Sequence, residues 1–239
     1  MQFKRAAIFG YSGLIGKNIL EQIKNKIKKI YLFNSKNIQE LNSKSIYDIV
    51  FCAGLPAAKW IANKYPSKDK KNTLKLIKYL KKVKTKSFVL ISTIDVNFKH
   101  AYGINRLYLE KFVRKNFINY LIIRLPGVFG HGLKKNVIFD LLNSNDINKI
   151  FINDHFQWYD LSLLIKDIFK IYKNNTNGIY ELYSEPISNN EILKIFKNTK
   201  IKQKRKKPII YNFKPKSGYY YSKDFTLLRL QKFIKSYEN

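Results

Sequence analysis

The chain has 239 residues, 45% of them hydrophobic, so a sizeable core is supported and wholesale disorder is excluded. Its single cysteine, Cys52, rules out an intramolecular disulfide and fits a reducing compartment, and no stretch approaches the ~18 unbroken apolar residues of a membrane span. The formal charge of +30 points first to nucleic acid, but lysine is spread over nearly every segment and arginine occurs only six times, so no nucleic-acid partner is expected.

The abundance of Asn, Ile, Phe and Tyr beside Lys fits A/T-rich codons, which would coat the surface with lysine without a selected partner. The densest basic cluster, residues 200–207, reads as a solvated loop. Lys4-Arg5 before an apolar run has the look of a signal peptide. Three glycines break that run and no convincing cleavage site follows, so a cytoplasmic location is expected.

Residues 3–9 form the first predicted strand. Gly10, Gly13 and Gly16 follow at intervals of three, and residues 14–28 carry Ile15, Ile19, Ile23 and Ile27 at helical spacing. Residues 29–33 make a second strand, which completes a βαβ unit. Each glycine has a role in such a unit. Gly10 turns the chain off the strand, Gly13 admits a ligand close to the backbone, and Gly16 lets the helix pack on the strand. The helix N-terminus there favours a phosphate; the alternative is a glycine turn without a ligand. The second strand ends in Asn34-Ser35-Lys36, without the acidic residue that binds the ribose 2′-hydroxyl of NAD. A neutral, hydroxyl and cationic series suits a 2′-phosphate better, which favours NADP over NAD; an ordinary polar turn is the alternative.

The segment 37–47 is short, and a full strand and helix are expected to be lost or reduced there. Residues 48–52 read as a buried strand ending in Ala53-Gly54, residues 55–66 as a helix or irregular lid with Trp60, and residues 68–83 as a helix capped by Ser67 with Asp69 in its first turn. Residues 87–91 form a strand with Ser92 and Thr93 at its C-terminal edge, the ligand edge of an open parallel sheet. A helix over 102–115, a strand over 119–124 and a turn-rich exit over 125–130 follow. Past Gly130 the pattern changes to helices at 136–142, 161–172, 189–197 and 224–236, with strands at 179–183 and 208–213. The expectation is an α/β fold. A Rossmann-like doubly wound parallel sheet spans 1–130, and a small C-terminal annex facing the substrate spans 131–239, with the ligand cleft between them.

These motifs, Gly10-x-x-Gly13-x-x-Gly16, Cys52-Ala53-Gly54, Leu90-Ile91-Ser92-Thr93, Ala101-Tyr102-Gly103-x-x-Arg106 and Ile123-Arg124-Leu125-Pro126-Gly127-Val128-Phe129-Gly130, make the chain similar to the extended short-chain dehydrogenase/reductase superfamily, its NAD(P)-dependent epimerase/dehydratase branch. The resemblance implies an NAD(P)-dependent epimerase, dehydratase or reductase of a sugar or nucleotide-sugar. It assigns Thr93 the hydroxyl that holds a substrate oxygen, Tyr102 the acid/base and position 106 the cation that lowers the phenol pKa from its ordinary ~10. It assigns cofactor binding to Gly10, Tyr11, Ser12, Gly13, Leu14, Ile15, Gly16, Asn34, Ser35, Lys36, Cys52, Ala53, Gly54 and Pro126. Substrate contacts fall to His131, Lys134, Asn136 and Trp158, and homodimers through helices 68–83 and 102–115 are common in the family.

Two positions depart from the family pattern. Residue 106 is Arg where Lys is usual; it keeps the charge but does not deprotonate. This leaves two readings, an altered working site or a cofactor-binding protein without turnover. Phe156 and Asp160 replace the Arg and His of the family's annex motif, which removes a diphosphate ligand. Trp158 between them has two readings, a stacking platform or core. No metal site is expected from one Cys and three scattered His.

Overall fold

The computed structural model describes residues 3–175, 177–196 and 201–238. The chain divides into two compact units, Met1–Arg124 with Ser162–Tyr180, and Leu125–Leu161 with Glu181–Asn239. The boundary expected at residue 130 is thus replaced by a discontinuous division.

The first unit holds the main sheet: β1 (Arg5–Phe9), β2 (Lys29–Phe33), β3 (Ile49–Cys52), β4 (Phe88–Thr93), β5 (Tyr120–Leu125) and β6 (Gly178–Glu181). Their order is β6-β5-β4-β3-β1-β2. β1 pairs in parallel with β2 on one side and β3 on the other, and β3 pairs in parallel with β4. The strand order therefore reverses between β1 and β3. In an open α/β sheet a ligand crevice forms outside the carboxyl ends of the strands at such a switch point. The expected loss between β2 and β3 is seen. Only a three-residue 3₁₀ turn, Ile38–Glu40, and a two-residue strand, Ile46–Tyr47, stand there.

The helices of this unit are α1 (Leu14–Ile23), α2 (Lys59–Lys64), α3 (Pro66–Leu80), α4 (Ala101–Asn116) and α5 (Leu164–Asn174). β3 is buried throughout, and Ala7, Phe9, Val50, Phe88, Leu109, Val113 and Ile122 share one apolar core. α1 stops earlier than residue 28, because Lys26 N–H already bonds back to Ile23 O, three residues away, as the chain turns toward β2. α3 starts at Pro66 rather than after a Ser67 cap: proline needs no N–H partner at the first helical position. β3 begins after Asp48, whose Oδ2 accepts from the N–H groups of Lys4 and Arg5 and whose Oδ1 meets Lys86 Nζ at 2.8 Å. Lys86 is the main cause that holds this carboxyl at about 2.

In the second unit Gly127–Phe129 pairs in parallel with Trp158–Asp160, and His155–Phe156 pairs antiparallel with Ile187–Ser188. The turn-rich exit expected over 125–130 is therefore partly strand. Its helices are Val137–Leu142, Asn189–Leu193 and Lys223–Glu238. Ser188 caps the second in a capping box with Glu191, as its sequence suggests. Residue 197, in the helix expected over 189–197, lies outside the described residues, as does residue 200 of the basic cluster. The strand expected over 208–213 reduces to one bridge, His155 with Ile210. Phe213 N–H bonds instead to the side-chain oxygen of the buried Gln157.

Candidate active site

The glycine turn fixes the site. Gly10 leaves β1 with φ +85°, a left-handed conformation that side chains resist. A Cβ at Gly10 would stand 2.3 Å from Ala53 O, and one at Gly16 2.1 Å from Gly10 O. Backbone thus demands both glycines. Gly13 is different. Its φ is −79°, and a Cβ there would meet only Gly10 O, at 3.4 Å, ordinary contact. The fold leaves space at Gly13, in front of α1, whose first N–H groups have no acceptor within the helix.

That space opens into a cavity of ≈ 410 Å³, within the range of small-molecule sites. Gly10, Ser12, Gly13, Asn34, Ser35, Ala53 and Gly54 line it from the strand ends, and Asn72, Lys75, Leu76 and Tyr79 line it from α3. Asn34 is held by local bonds: its Oδ1 accepts from Lys36 N–H at 2.8 Å and its Nδ2 reaches Ser12 Oγ at 3.5 Å. Lys36 itself is exposed and does not line the cavity.

A smaller pocket of ≈ 70 Å³ shares Ala53, Gly54 and Leu55 with the first and adds Ile15, Cys52, Thr93, Tyr102 and Arg106. The hydroxyl, the phenol and the cation that the family resemblance assigned line one pocket, at the mouth of β4. Thr93 Oγ1 accepts from Asp95 N–H at 3.2 Å and donates to Asp95 Oδ2 at 3.4 Å. Asp95 Oδ1 takes Lys59 Nζ at 2.6 Å and stands 3.4 Å from His100 Nε2. His100 Nδ1 caps α4 by accepting Gly103 N–H, so in the neutral ring the proton sits on Nε2. Gly103 allows α4 to start here, since a Cβ would lie 2.1 Å from Asp95 O.

Arg106 is 6% exposed, and its guanidinium forks onto Asp69. Its carbon lies 4.1 Å from the centroid of the Tyr102 ring. Arg106 does pull the phenol pKa down, as expected of a cation at this position, but the net shift is upward. Burial, the largest cause, raises it, and the opposing pull of Arg106 is met by Asp95 and Asp69. Cys52 forms part of the pocket wall, and burial pushes its thiol up to about 12. It is expected to resist iodoacetamide at pH 8 in the native protein and to react fully in urea, as mass spectrometry would read out.

No protein-family model matches the chain, and no curated protein matches it. Solved structures do. A UDP-N-acetylglucosamine 4-epimerase from Methanobrevibacter ruminantium M1, in complex with UDP-N-acetylmuramic acid, is 16% identical, with TM-score 0.76 over 100% of this chain and 99% of that one. RMD from Pseudomonas aeruginosa, complexed with NADPH, is 14% identical, with TM-score 0.75 over 98% of each chain. A dTDP-4-dehydrorhamnose reductase from Bacillus anthracis, in complex with NADP, is 16% identical, with TM-score 0.73 over 99% of each chain. The chain has the fold of these epimerases and reductases.

For a protein of this epimerase/reductase fold, a nicotinamide dinucleotide is the group to test against the residues present. They fit. Gly13 keeps open a space that its own chain does not require, at a helix N-terminus suited to a pyrophosphate. Asn34, Ser35, Ala53 and Gly54 line the adjoining cavity, whereas Tyr11, Leu14, Gly16, Lys36 and Pro126 line neither pocket. Asn72, Lys75 and Tyr79 are cavity residues that the sequence reading missed. Their spacing on α3 marks one helix face beside the buried Leu76, a signal readable only once α3 is known to face the strand ends.

The substrate candidates of the second unit fare differently. His131 and Lys134 are exposed. Asn136 is spent on structure: with φ 114° it caps the helix Val137–Leu142, accepting from Ile138 and Phe139 N–H and donating to Val128 O. Trp158 is 3% exposed and packs on Phe156 and over Gly127, where a Cβ would come within 2.9 Å of the indole. It is core rather than an accessible platform. Asp160, in the place of the family's His, bonds Arg229 at 2.7 Å. Among the described residues no group of His, Cys, Asp or Glu is arranged to hold a metal ion, and no helix is long and apolar enough to cross a membrane.

Proposed function

We propose that the chain is an NAD(P)-dependent epimerase or reductase of the extended short-chain dehydrogenase/reductase superfamily, acting on a sugar or nucleotide-sugar. The adjacency of the two pockets carries this reading. The glycine-loop cavity and the pocket of Thr93, Tyr102 and Arg106 share Ala53, Gly54 and Leu55 in their walls. A dinucleotide with its pyrophosphate at Gly13 would reach both. When bound, the nicotinamide supplies the hydride chemistry. Tyr102 exchanges a proton with the substrate oxygen, and the Thr93 hydroxyl orients that oxygen. The neighbours of this fold act on UDP- and dTDP-linked sugars by name, which supports the substrate class. The absence of a carboxylate at Asn34-Ser35-Lys36, with Lys75 on the cavity wall, favours NADP.

A second reading, cofactor binding without turnover, is favoured by Arg106, whose donors are engaged within the protein. Titration with NADPH and NADH, followed by nicotinamide fluorescence at two salt concentrations, tests the primary site. Binding is expected to survive salt, to be tighter for NADPH, and to vanish in Gly13→Asp. Affinity that fades with salt, as for a polyanion on a lysine surface, would overturn the reading. NADPH oxidation by keto-sugar nucleotides then separates turnover from mere binding.

A further inference from the structure

α3 and α4 pack against each other, and residues of both line a groove of ≈ 400 Å³. Leu74 and Ile77 from α3 and Tyr108 and Phe112 from α4 give it an apolar floor, and Lys78, Lys81 and Lys115 rim it. Ile104 continues the stripe on α4: with Tyr108 and Phe112 it falls at i, i+4 and i+8, one helix face over about 12 Å. Leu74 is 44% exposed, Tyr108 51% and Ile104 54%. Single apolar residues are ordinary on a surface, but several gathered at one groove mark an interaction site.

The charges of the two helices are sorted as well. Their only acids, Asp69 and Glu110, are buried in ion pairs with Arg106 and Arg124. Every charged side chain left exposed on α3 and α4 is therefore cationic. Among the described residues none of the ion pairs involves Lys78, Lys81 or Lys115. Codon bias accounts for lysine on any surface. It does not account for an apolar floor between the lysines with both acids turned inward.

A second copy of the chain is the first occupant to consider, and the charge argues against it. A two-fold interface sets one patch against itself. Lysine would face lysine around the groove, with no exposed carboxylate on either helix between them, and like charges across an interface cost affinity. A nucleic acid would satisfy the lysines. It has no aliphatic surface to set against Leu74 and Ile104, and no arginine lines the groove to grip phosphate in a fork.

We propose that the α3–α4 groove is the docking site of a different, acidic protein, which lays an amphipathic helix into it. Apolar side chains on one face of that helix meet Leu74, Ile77, Tyr108 and Phe112, and carboxylates on its flanks meet Lys78, Lys81 and Lys115. The groove shares no residue with the two pockets of the candidate active site, which α3 and α4 wall with Asn72, Lys75, Tyr102 and Arg106. The inference therefore stands or falls independently of the functional reading.

The probe is a fluorescein-labelled synthetic helix of about 18 residues, with leucine at i, i+4 and i+8 on one face and glutamate on its flanks. Its control has the same composition with the leucines spread around the helix, and a single-stranded oligonucleotide supplies a polyanion without aliphatic surface. By fluorescence anisotropy at about 150 mM salt the patterned helix is expected to bind at least tenfold more tightly than its control. Tyr108→Glu and Lys78→Glu are each expected to weaken it by about tenfold or more, whereas Lys170→Glu, the same charge change as Lys78→Glu but on α5, should move it by less than about twofold. All three replaced side chains are exposed, and far-UV circular dichroism checks that each variant is folded. Sedimentation velocity is expected to give wild type and Tyr108→Glu the same oligomeric state. A dimer that Tyr108→Glu separates would make a second copy the occupant and overturn the proposal. So would equal binding of the patterned and control helices, an oligonucleotide held more tightly than the patterned helix, or a patterned helix that Tyr108→Glu leaves bound.

Discussion

Gly16→Ala is expected to cost the native state about 3 kcal/mol or more, whereas Gly13→Ala should leave folding within about 1 kcal/mol of wild type and cost affinity for the nicotinamide cofactor. The contrast follows from where each added methyl would go. At position 16 it lies 2.1 Å from the carbonyl oxygen of Gly10. No side chain can move to relieve that contact, because both partners are backbone, so α1 must shift away from the end of β1. At position 13 the methyl meets nothing nearer than 3.4 Å, and the φ of −79° suits alanine. It would stand instead where a pyrophosphate approaches the helix N-terminus. Urea unfolding with an unchanged slope, beside NADPH titration of the same proteins, reads both effects. If Gly13→Ala bound NADPH as wild type does, the turn would be a structural device only.

The same turn shows how far the sequence could be read. The roles of Gly10 and Gly16 come from backbone geometry within a few residues, and the spacing of three carries that information. Tyr102 and Arg106 are likewise joined by helical spacing, and the end of β4 brings Thr93 to them. Asp69 was legible only as a first-turn acid suited to the helix dipole. Its partner is 37 residues away on another helix, and local spacing carries no such pairing. Pro66 took the start of α3 from Ser67 because φ is preset by the proline ring. Trp158 had two readings, and only the packing against Gly127 decides between them. The sixth strand was placed in the annex because it follows the annex in sequence. It stands at the end of the main sheet, beside β5.

Glu110→Ala is expected to destabilise the protein by about 3–5 kcal/mol, the largest loss among single changes near the site that remove no backbone constraint. Glu110 is 1% exposed on α4. Its Oε1 accepts from Ser92 Oγ at 2.6 Å and Arg124 Nε at 3.0 Å, and its Oε2 from Arg124 Nη2 at 2.7 Å. Alanine would leave the Arg124 guanidinium, whose side chain is 15% exposed, without its carboxylate and Ser92 without its acceptor. Glu110→Gln keeps an acceptor and removes the charge, so a smaller loss of about 1–3 kcal/mol is expected. Replacing both ions, Glu110→Leu with Arg124→Met, should recover much of the alanine loss, since the desolvation cost of both charges disappears together. Urea unfolding of wild type, Glu110→Leu, Arg124→Met and the double variant gives the coupling directly. Additive losses would mean that the pair contributes nothing beyond its parts. On the proposed function the consequence is local: Ser92 precedes Thr93, so a loosened Glu110 contact frees the end of β4 that carries the Thr93 hydroxyl, and turnover is expected to fall further than cofactor affinity, which rests on the glycine turn.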